Sequence, residues 1–400
     1  MNLRSGIIYE TVIIFLSICL GVLTNRFLGA EQRGVLAAVM LYPTILSSAS
    51  SLQWDRQIIS DLKSKIVSLH TVKNKIITTA LVNGTLGATM AVLLSLADNK
   101  ISMNQTILIG IYSIVSIPCS LVQLYTNACL IVEDKTLQVY YNRTILPASM
   151  LAILITFTLL KNIDYADIVL ITMASWLLAT IYVYNFYKIN IINIKENIRN
   201  VVKQLKQYQR NVAHLFDSCA NHIDIFVVLT FMPLSFAGAY TFFKLLDLPY
   251  RILLSAFGTA TPSRLVTHGH VNVPYFLSFL SLTLAITLLA IFFPLKYYDI
   301  VIDLVVGPSF THFSYLIKPL IVSFWTGAIG VHLYTLLTHS GAVSKLFFTQ
   351  RFDLLLRTIL IGTFTFAYEW VGLVLSIVIC NMVKIIFILY QFWKINNNKQ

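Results

Sequence analysis

The chain has 400 residues, of which 57% are hydrophobic and only 12% charged, and its mean hydropathy is +0.76. This composition excludes a soluble globular domain and a disordered chain, and it predicts a polytopic membrane protein. The formal net charge of +12 does not indicate nucleic-acid binding, because the basic residues lie between hydrophobic segments rather than on a soluble domain.

Twelve hydrophobic segments are each long enough to cross a hydrocarbon core of about 30 Å. Their centres lie at about residues 14, 44, 86, 118, 152, 176, 222, 249, 283, 325, 360 and 380. We expect a tight turn near Glu369 and Trp370 between the last two, and another near Pro233 between the seventh and eighth. The fold class is therefore predicted to be all-α, with about twelve transmembrane helices.

Lysine and arginine positions predict the orientation. With the N-terminus in the cytoplasm, 19 of the 29 basic residues fall on the cytoplasmic side, five on the opposite side and five within spans. Because cytoplasmic loops carry an excess of Lys and Arg, this bias places both termini in the cytoplasm, as an even number of spans requires.

Residues 188–210 separate six predicted spans from the next six. Apolar residues recur there at three- and four-residue steps, including Ile191, Ile194 and Ile198, with basic residues around the rest of the helix. This pattern predicts an amphipathic helix on the cytoplasmic leaflet. A basic connector and a coiled-coil segment are the alternatives. The expected domains are residues 1–187, the linker 188–210 and residues 211–400.

The two halves share features at equivalent places in their second helices. These are an outer glycine (Gly34, Gly238), an internal proline (Pro43, Pro249) and an arginine at the cytoplasmic end (Arg56, Arg264). Together with six plus six spans, they favour two six-helix lobes around a central cavity, an arrangement found in many transporters.

Two predicted helices carry polar residues at membrane depth, each on a single helical face. The members are His214, Asp217, Asn221 and Asp224 on the seventh span, and Lys244, Asp247 and Arg251 on the eighth. An Asp, Lys or Arg at a helix centre costs about 2.5–3.5 kcal/mol on insertion scales. We therefore expect both stripes to face a protein interior or a wet cavity that handles charged cargo. Structural salt bridges between the two helices are the alternative.

No enzymatic site is recognisable in the sequence. There is no P-loop motif, the five cysteines form no CxxC pair, and the eight histidines show no zinc spacing. The external loops are too short for a catalytic domain, which argues against a sugar polymerase. We expect no enzyme activity, no cofactor and no metal site.

Four short motifs resemble those of the Wzx-type polysaccharide flippases, whose superfamily also contains the MATE multidrug exporters and the lipid II flippases. The motifs are Asn25-Arg26-Phe27-Leu28-Gly29 with Gly34, Asn221-His222-Ile223-Asp224 with Gly238-Ala239-Tyr240, Thr261-Pro262-Ser263-Arg264, and Val306-Gly307-Pro308-Ser309-Phe310. The resemblance implies alternating access in a bacterial inner membrane. The cargo would be an undecaprenyl-diphosphate-linked oligosaccharide, moved to the outer leaflet for cell-surface polysaccharide synthesis, O-antigen included.

Such a cargo needs a cationic, hydrated path, because its polar groups would otherwise lose water without replacement. Arg251 and Lys244 are the expected diphosphate partners, and Asp247 shares their stripe. Arg56 and Arg264 would capture the head group at the cytoplasmic mouth, with ordinary positive-inside anchoring as the alternative. Lys318 is a further lumen candidate.

Carboxylates at membrane depth are candidates for coupling to a proton or sodium gradient. These are Asp224, Glu10 and Asp217, although permanent pairing of Asp224 with Lys244 or Arg251 is an alternative. We expect Arg357 and Lys384 to reach cytoplasmic head groups.

Expected partners are membrane lipids, the lipid-linked glycan and a polysaccharide polymerase, with no nucleic acid. The alternative functions are a MATE-like cation-coupled drug exporter and, less favoured, a membrane sugar polymerase.

Overall fold

The computed structural model describes residues 3–52, 54–98, 100–160, 162–187, 208–250, 253–254, 266–267, 270–271, 273–339 and 343–397. Within those ranges, side chains are described except at 3–7, 56, 60, 208–218, 266–267, 270–271, 273–276, 334–339, 343–350 and 392–397. All twelve predicted span centres lie in helical residues. The all-α class is therefore confirmed.

The N-terminal half contributes α1 (Leu3–Ser50), α2 (Trp54–Lys63), α3 (Leu69–Ala97), α4 (Met103–Val132), α5 (Thr136–Leu160) and α6 (Tyr165–Tyr187). Ser68 caps α3, and Ser102 with Gln105 forms a capping box at the start of α4. The predicted amphipathic linker lies outside the described residues from 188 to 207.

The C-terminal half contributes α7 (Tyr208–Phe231), α8 (Leu234–Phe243), a 3-10 helix (Lys244–Asp247), α9 (Val273–Phe292), α10 (Leu295–Val305), a second 3-10 helix (Pro308–Leu316), α11 (Ile317–His339) and α12 (Val343–Asn397). Two short antiparallel strands, β1 (Val266–Thr267) and β2 (His270–Val271), pair Val266 with Val271. The predicted turn at Pro233 is confirmed, since this proline is the N-cap of α8.

Seven helices in the described part of the chain are long and apolar enough to cross a membrane. The pair α9–α10, bent by 90°, is an eighth candidate. Two of the seven, α1 and α12, are long enough for two spans each, since one span needs about 20 residues.

Both long helices are interrupted near the middle. Gly29 interrupts α1 with a φ of 67°, which glycine adopts without the steric cost of a Cβ atom. In α12 the break falls at Tyr368 and Glu369, where Glu369 has a φ of 51°. The predicted turn near Glu369 and Trp370 is thus confirmed.

The chain divides into two compact units. The first comprises Phe15–Leu20 and Val35–Ser218, and the second comprises Asn2–Ile14, Gly21–Gly34 and Cys219–Gln400. The predicted domains, residues 1–187 and 211–400 joined by the linker 188–210, stay a prediction. In the compact units the boundary falls between Ser218 and Cys219, and two pieces of α1 belong to the second unit.

The first unit has its core where α2, α3 and α4 meet. Tyr125 is fully buried there and donates a hydrogen bond of 3.1 Å to the Ser51 carbonyl. Its ring packs edge-on against Trp54, with 4.5 Å between ring centroids, and Asn83 donates to its hydroxyl at 3.4 Å. These contacts satisfy the polar groups of a tyrosine that lies away from water.

In the second unit, α1 and α8 cross with their backbones in contact. A Cβ atom on Gly34 would lie 1.9 Å from the Leu234 carbonyl oxygen, and one on Gly238 would lie 1.9 Å from that of Ala30. Each glycine thus faces the residue one helical turn before the other glycine. Only glycine permits so close an approach of two helices.

Candidate functional site

The polar faces of α7 and α8 meet at Asp224. Lys244 Nζ donates to Asp224 Oδ2 at 2.7 Å, and the Tyr240 hydroxyl donates to the same oxygen at 2.5 Å. The turn at Pro233 allows this contact because it folds α8 back on α7. The sequence left two alternatives for these polar stripes, a wet cavity or salt bridges between the two helices. The structure shows one ion pair between the helices.

The backbone tightens from an α-helix to a 3-10 helix where the charged residues begin. Pro249 has no N–H group for the Leu245 carbonyl, and the N–H of Leu248 bonds to that carbonyl instead. In a 3-10 helix, side chains three residues apart eclipse each other. Lys244 and Asp247 therefore project from the same face, as their spacing predicts.

The Asp224–Lys244 pair is partly buried. The side chains of Asp224 and Lys244 are 14% and 22% exposed, respectively. Asp224 Oδ1 is buried and accepts no hydrogen bond of ordinary geometry within the described part of the chain. A buried carboxylate oxygen normally has a partner, so Oδ1 is a position for a water, a proton or a cation.

A second buried cluster joins the two halves of α12. Arg357 Nε donates to Asp353 Oδ1 at 2.9 Å, and Lys384 Nζ donates to Asp353 Oδ2 at 2.7 Å. Arg357 also donates to Asn381 Oδ1 at 2.6 Å, and Asn381 in turn donates to the Ser323 carbonyl of α11. Arg357 and Lys384, which we expected to reach cytoplasmic head groups, both bind Asp353.

Both clusters belong to the second unit. Together they hold the cations Lys244, Arg357 and Lys384 and the carboxylates Asp224 and Asp353. The Asp224–Lys244 pair is neutral, whereas the Asp353 cluster carries one positive charge in excess.

The remaining candidates whose side chains the structure describes are Lys318, Glu10 and Asp247. Lys318 is half-buried near the start of α11 and forms no ion pair with any described residue. Glu10 is buried in α1, and Asp247 is half-buried beside Lys244. The 3-10 helix Lys244–Asp247 packs against α11, the helix that carries Lys318.

Four predicted site residues cannot be placed. Arg251 and Arg264 lie outside the described residues, and the side chains of Arg56 in α2 and Asp217 in α7 do too. Their roles stay predictions.

Three of the four motifs come together in the second unit. Gly29 of the first motif faces Ser309 of the fourth, whose Oγ would lie 3.5 Å from a Cβ at Gly29. The first motif also meets the second where Gly34 crosses Gly238, and within the second motif Tyr240 binds Asp224. The motifs therefore form one contiguous region, although they are spread over 286 positions from 25 to 310. The third motif lies outside the described residues.

The first unit has an ion cluster at the ends of α3, α4 and α6, which the sequence analysis did not identify. Glu133 binds Lys135 at 2.5 Å and Lys73 at 3.5 Å, and Tyr187 donates to it at 2.6 Å. Partial burial opposes ionisation, but hydrogen bonds from Lys135 and Tyr187 and the charge of Lys73 outweigh it, so the pKa of Glu133 is lowered. This cluster connects the ends of α3, α4 and α6.

The five cysteines are free, and no group of three or more metal-ligating side chains occurs among the described residues.

No protein-family model matches the chain, and no curated protein matches its sequence. Solved structures do match. The lipid II flippase MurJ in an inward closed conformation is 13% identical, with a TM-score of 0.70 over 96% of this chain and 86% of that one. An inward-facing multidrug resistance MATE transporter of the MOP superfamily is 12% identical, with a TM-score of 0.65 over 98% and 96% of the two chains.

A third match is a MOP superfamily transporter from Pyrococcus furiosus, described as having a binding pocket of reverse polarity that suggests a different function. It is 12% identical, with a TM-score of 0.64 over 98% of this chain and 96% of that one. At these identities the matches show the fold. The chain thus has the fold of MATE transporters and of a lipid II flippase.

Proposed function

We propose that this chain is a flippase that moves an undecaprenyl-diphosphate-linked oligosaccharide from the cytoplasmic to the outer leaflet by alternating access. The observation that carries the proposal is Lys244, a cation of the predicted eighth span that lies 2.7 Å from Asp224 on the preceding helix. The fold shared with a lipid II flippase supports the same class of cargo.

Lys244 can exchange one anionic partner for another. If a diphosphate displaced Asp224, the Lys244 ammonium group would donate to the phosphate instead. The positive charge of the lysine would then stay compensated. Asp224 keeps Lys244 paired when cargo is absent, and so lowers the cost of holding a cation in the membrane. Arg251 and Asp247 on the same stripe, and Lys318 on α11, are the proposed further contacts to cargo. Arg56 and Arg264 would capture the head group first.

The same exchange supplies a route to ion coupling. When Lys244 turns to cargo, the Asp224 carboxylate loses its cation, and a proton or sodium ion becomes the preferred replacement. Asp224 Oδ1, which is buried and accepts no hydrogen bond of ordinary geometry in the described part of the chain, is the proposed position. Glu10 and Asp217 are secondary candidates for the coupling site.

A cation-coupled multidrug exporter is the second candidate, favoured by the similarity to MATE transporters. An exporter of cationic drugs requires an acidic cavity, whereas the described ion clusters of the second unit hold three cations and two carboxylates. This surplus of positive charge favours an anionic cargo.

We place the protein in the bacterial inner membrane with both termini in the cytoplasm, acting beside a polysaccharide polymerase. A deletion strain separates the two functions. We expect lipid-linked oligosaccharide to accumulate on the cytoplasmic leaflet, and the Arg251→Ala variant to insert in the membrane without restoring surface glycan. Drug sensitivity with normal surface glycan would favour the exporter instead.

A further inference from the structure

The short helix α10 has two apolar faces, and one of them points away from the protein. On the inner face Ile302 is buried, and the half-buried Tyr298 donates a hydrogen bond of 2.7 Å to the Ala290 carbonyl of α9. The outward face has four exposed residues at spacings of three, four and seven, which places them on one side of a helix: Tyr297, Ile300, Val301 and Leu304. Their exposed fractions run from 51% to 72%.

The direction of α10 is set by its bend from α9. The 20 residues of α9 include no charged side chain, and their length of about 30 Å matches the hydrocarbon core of a bilayer. A helix of this length and composition crosses the membrane. Because α10 leaves α9 at an angle of 90°, it lies close to the plane of the bilayer surface.

The outward face of α10 continues an apolar surface that begins on α9. Leu289 and Phe292, in the last turn of α9, are 75% and 78% exposed. Phe293 and Leu295, which connect α9 to α10, are exposed as well. Exposed apolar surface of this extent marks a membrane or protein contact, and aromatic residues such as Tyr297 are enriched where a membrane meets water.

A narrow charged edge borders the outward face. Lys296 and Asp303 are seven residues apart, so they project from the same side of the helix, and both are exposed. Their charges are opposite, so this edge supplies no net positive charge to attract anionic lipids. An apolar face bordered by an exposed polar edge is typical of a helix that lies in the membrane–water interface.

A protein partner fits the outward face less well than a lipid surface does. Four side chains on a helix of 11 residues are far fewer than the roughly 20–30 residues that each partner contributes to a stable interface. A lipid surface needs no such matching set of contacts, because the hydrophobic effect is non-directional.

We propose that the outward face of α10 is embedded in the interfacial region of one leaflet, with Lys296 and Asp303 in water. The Arg26 guanidinium, which donates to the Leu304 carbonyl at 3.2 Å, connects the end of this membrane-bound helix to α1. The interaction rests on apolar contact, so it does not require anionic lipid. It is separate from the Asp224–Lys244 pair and does not depend on which cargo the protein carries.

The test is spin labelling of the full chain in phosphatidylcholine vesicles. The two partly exposed cysteines, Cys19 and Cys219, are replaced by serine, and single cysteines are introduced along α10 to carry the label. Collisions of the label with oxygen, which concentrates in lipid, are compared with collisions with a water-soluble nickel complex. We expect oxygen collisions to dominate in Leu304→Cys and nickel collisions to dominate in Asp303→Cys. Asp303→Cys is the matched control, because it lies one residue away on the charged edge.

Two outcomes would overturn the proposal. Nickel collisions that dominate in both variants would place the outward face in water. Few collisions with either reagent in Leu304→Cys would show that a protein segment or a second copy of the chain covers this face.

Photolabelling of the unaltered chain gives a second measurement, which needs no substitution and so stays informative if a variant does not fold. A lipid-soluble diazirine, activated by light in the same vesicles, should modify the peptide that contains Tyr297, Ile300 and Leu304. If this peptide stayed unmodified while the exposed apolar residues of α9 were labelled, the outward face would not contact lipid and the proposal would be wrong.

Discussion

Gly34 of α1 and Gly238 of α8 meet at a crossing that leaves no room for a Cβ atom on either residue. The contact is reciprocal, because each glycine faces the carbonyl of the residue four positions before the other, Ala30 or Leu234. These two glycines are the pair that the sequence places at equivalent points of the two halves. Their equivalence in sequence therefore corresponds to a direct contact in the second unit.

Alanine at either position should destabilise the protein. The added methyl would lie 1.9 Å from a carbonyl oxygen, and overpacking of this kind costs about 1–3 kcal/mol. We expect Gly34→Ala and Gly238→Ala to lower the melting temperature in detergent. Gly362→Ala is the control, since a Cβ there meets nothing within 4 Å and should be tolerated. An equal effect at all three positions would contradict the close crossing.

Removal of Asp224 should destabilise the protein more than removal of an exposed carboxylate. Asp224→Ala leaves Lys244 buried without its partner, and breaking a buried ion pair in this way costs about 3–5 kcal/mol. Asp303→Asn, at an exposed position of α10, should change stability little. Thermal unfolding in detergent measures the stability of both variants.

The double variant Asp224→Asn/Lys244→Gln separates stability from transport. It removes both charges, so we expect it to recover most of the lost stability while transport stays lost. A double variant as unstable as Asp224→Ala would show that the two side chains do not act as a pair.

Asp353→Asn should also be strongly destabilising, because it leaves Arg357 and Lys384 without their shared carboxylate. We expect a loss of about 3–5 kcal/mol, as for other buried pairs that lose one partner. Adding Lys384→Gln removes one of the two stranded cations and should restore part of the melting temperature. No restoration would mean that Lys384 does not pair with Asp353.

Acid should weaken the Glu133 cluster of the first unit. The pKa of Glu133 is lowered in the folded protein from its usual value of 4.5, so its contribution to stability is present above that value. The contribution is lost as the pH falls through the lowered pKa. We expect Glu133→Gln to be less stable than the natural protein at pH 7 by about 1–3 kcal/mol. The difference should vanish on acidification, and a difference that persists at low pH would have another origin.

Hydropathy predicts much of this fold, because a membrane helix must be apolar over about 20 residues whatever its partners are. The turns at Pro233 and at Glu369 follow from where two apolar segments adjoin. The spacing of Lys244 and Asp247 likewise predicts their common face. The contact of Lys244 with Asp224 was one of the alternatives that the sequence left open.

The Asp353 cluster is harder to predict. Asp353 and Arg357 are four residues apart and readable as a helical pair, but Lys384 and Asn381 come from the returning half of α12. When a helix is apolar on every side, the sequence does not show which face meets which neighbour. The 3-10 geometry of Lys244–Asp247 is equally hard to predict, because a proline indicates a break in a helix but not the backbone conformation at the break.

The central claim is that Lys244 serves an anionic lipid-linked cargo. For the most direct test, the purified protein is reconstituted in vesicles that carry a labelled undecaprenyl-diphosphate oligosaccharide. The quantity measured is the rate at which the label crosses the bilayer. We expect crossing with the natural protein and with Lys296→Gln, an exposed lysine of α10, and at least about a tenfold slower rate with Lys244→Gln. Equal rates for the two variants, or no crossing with the natural protein, would contradict the account.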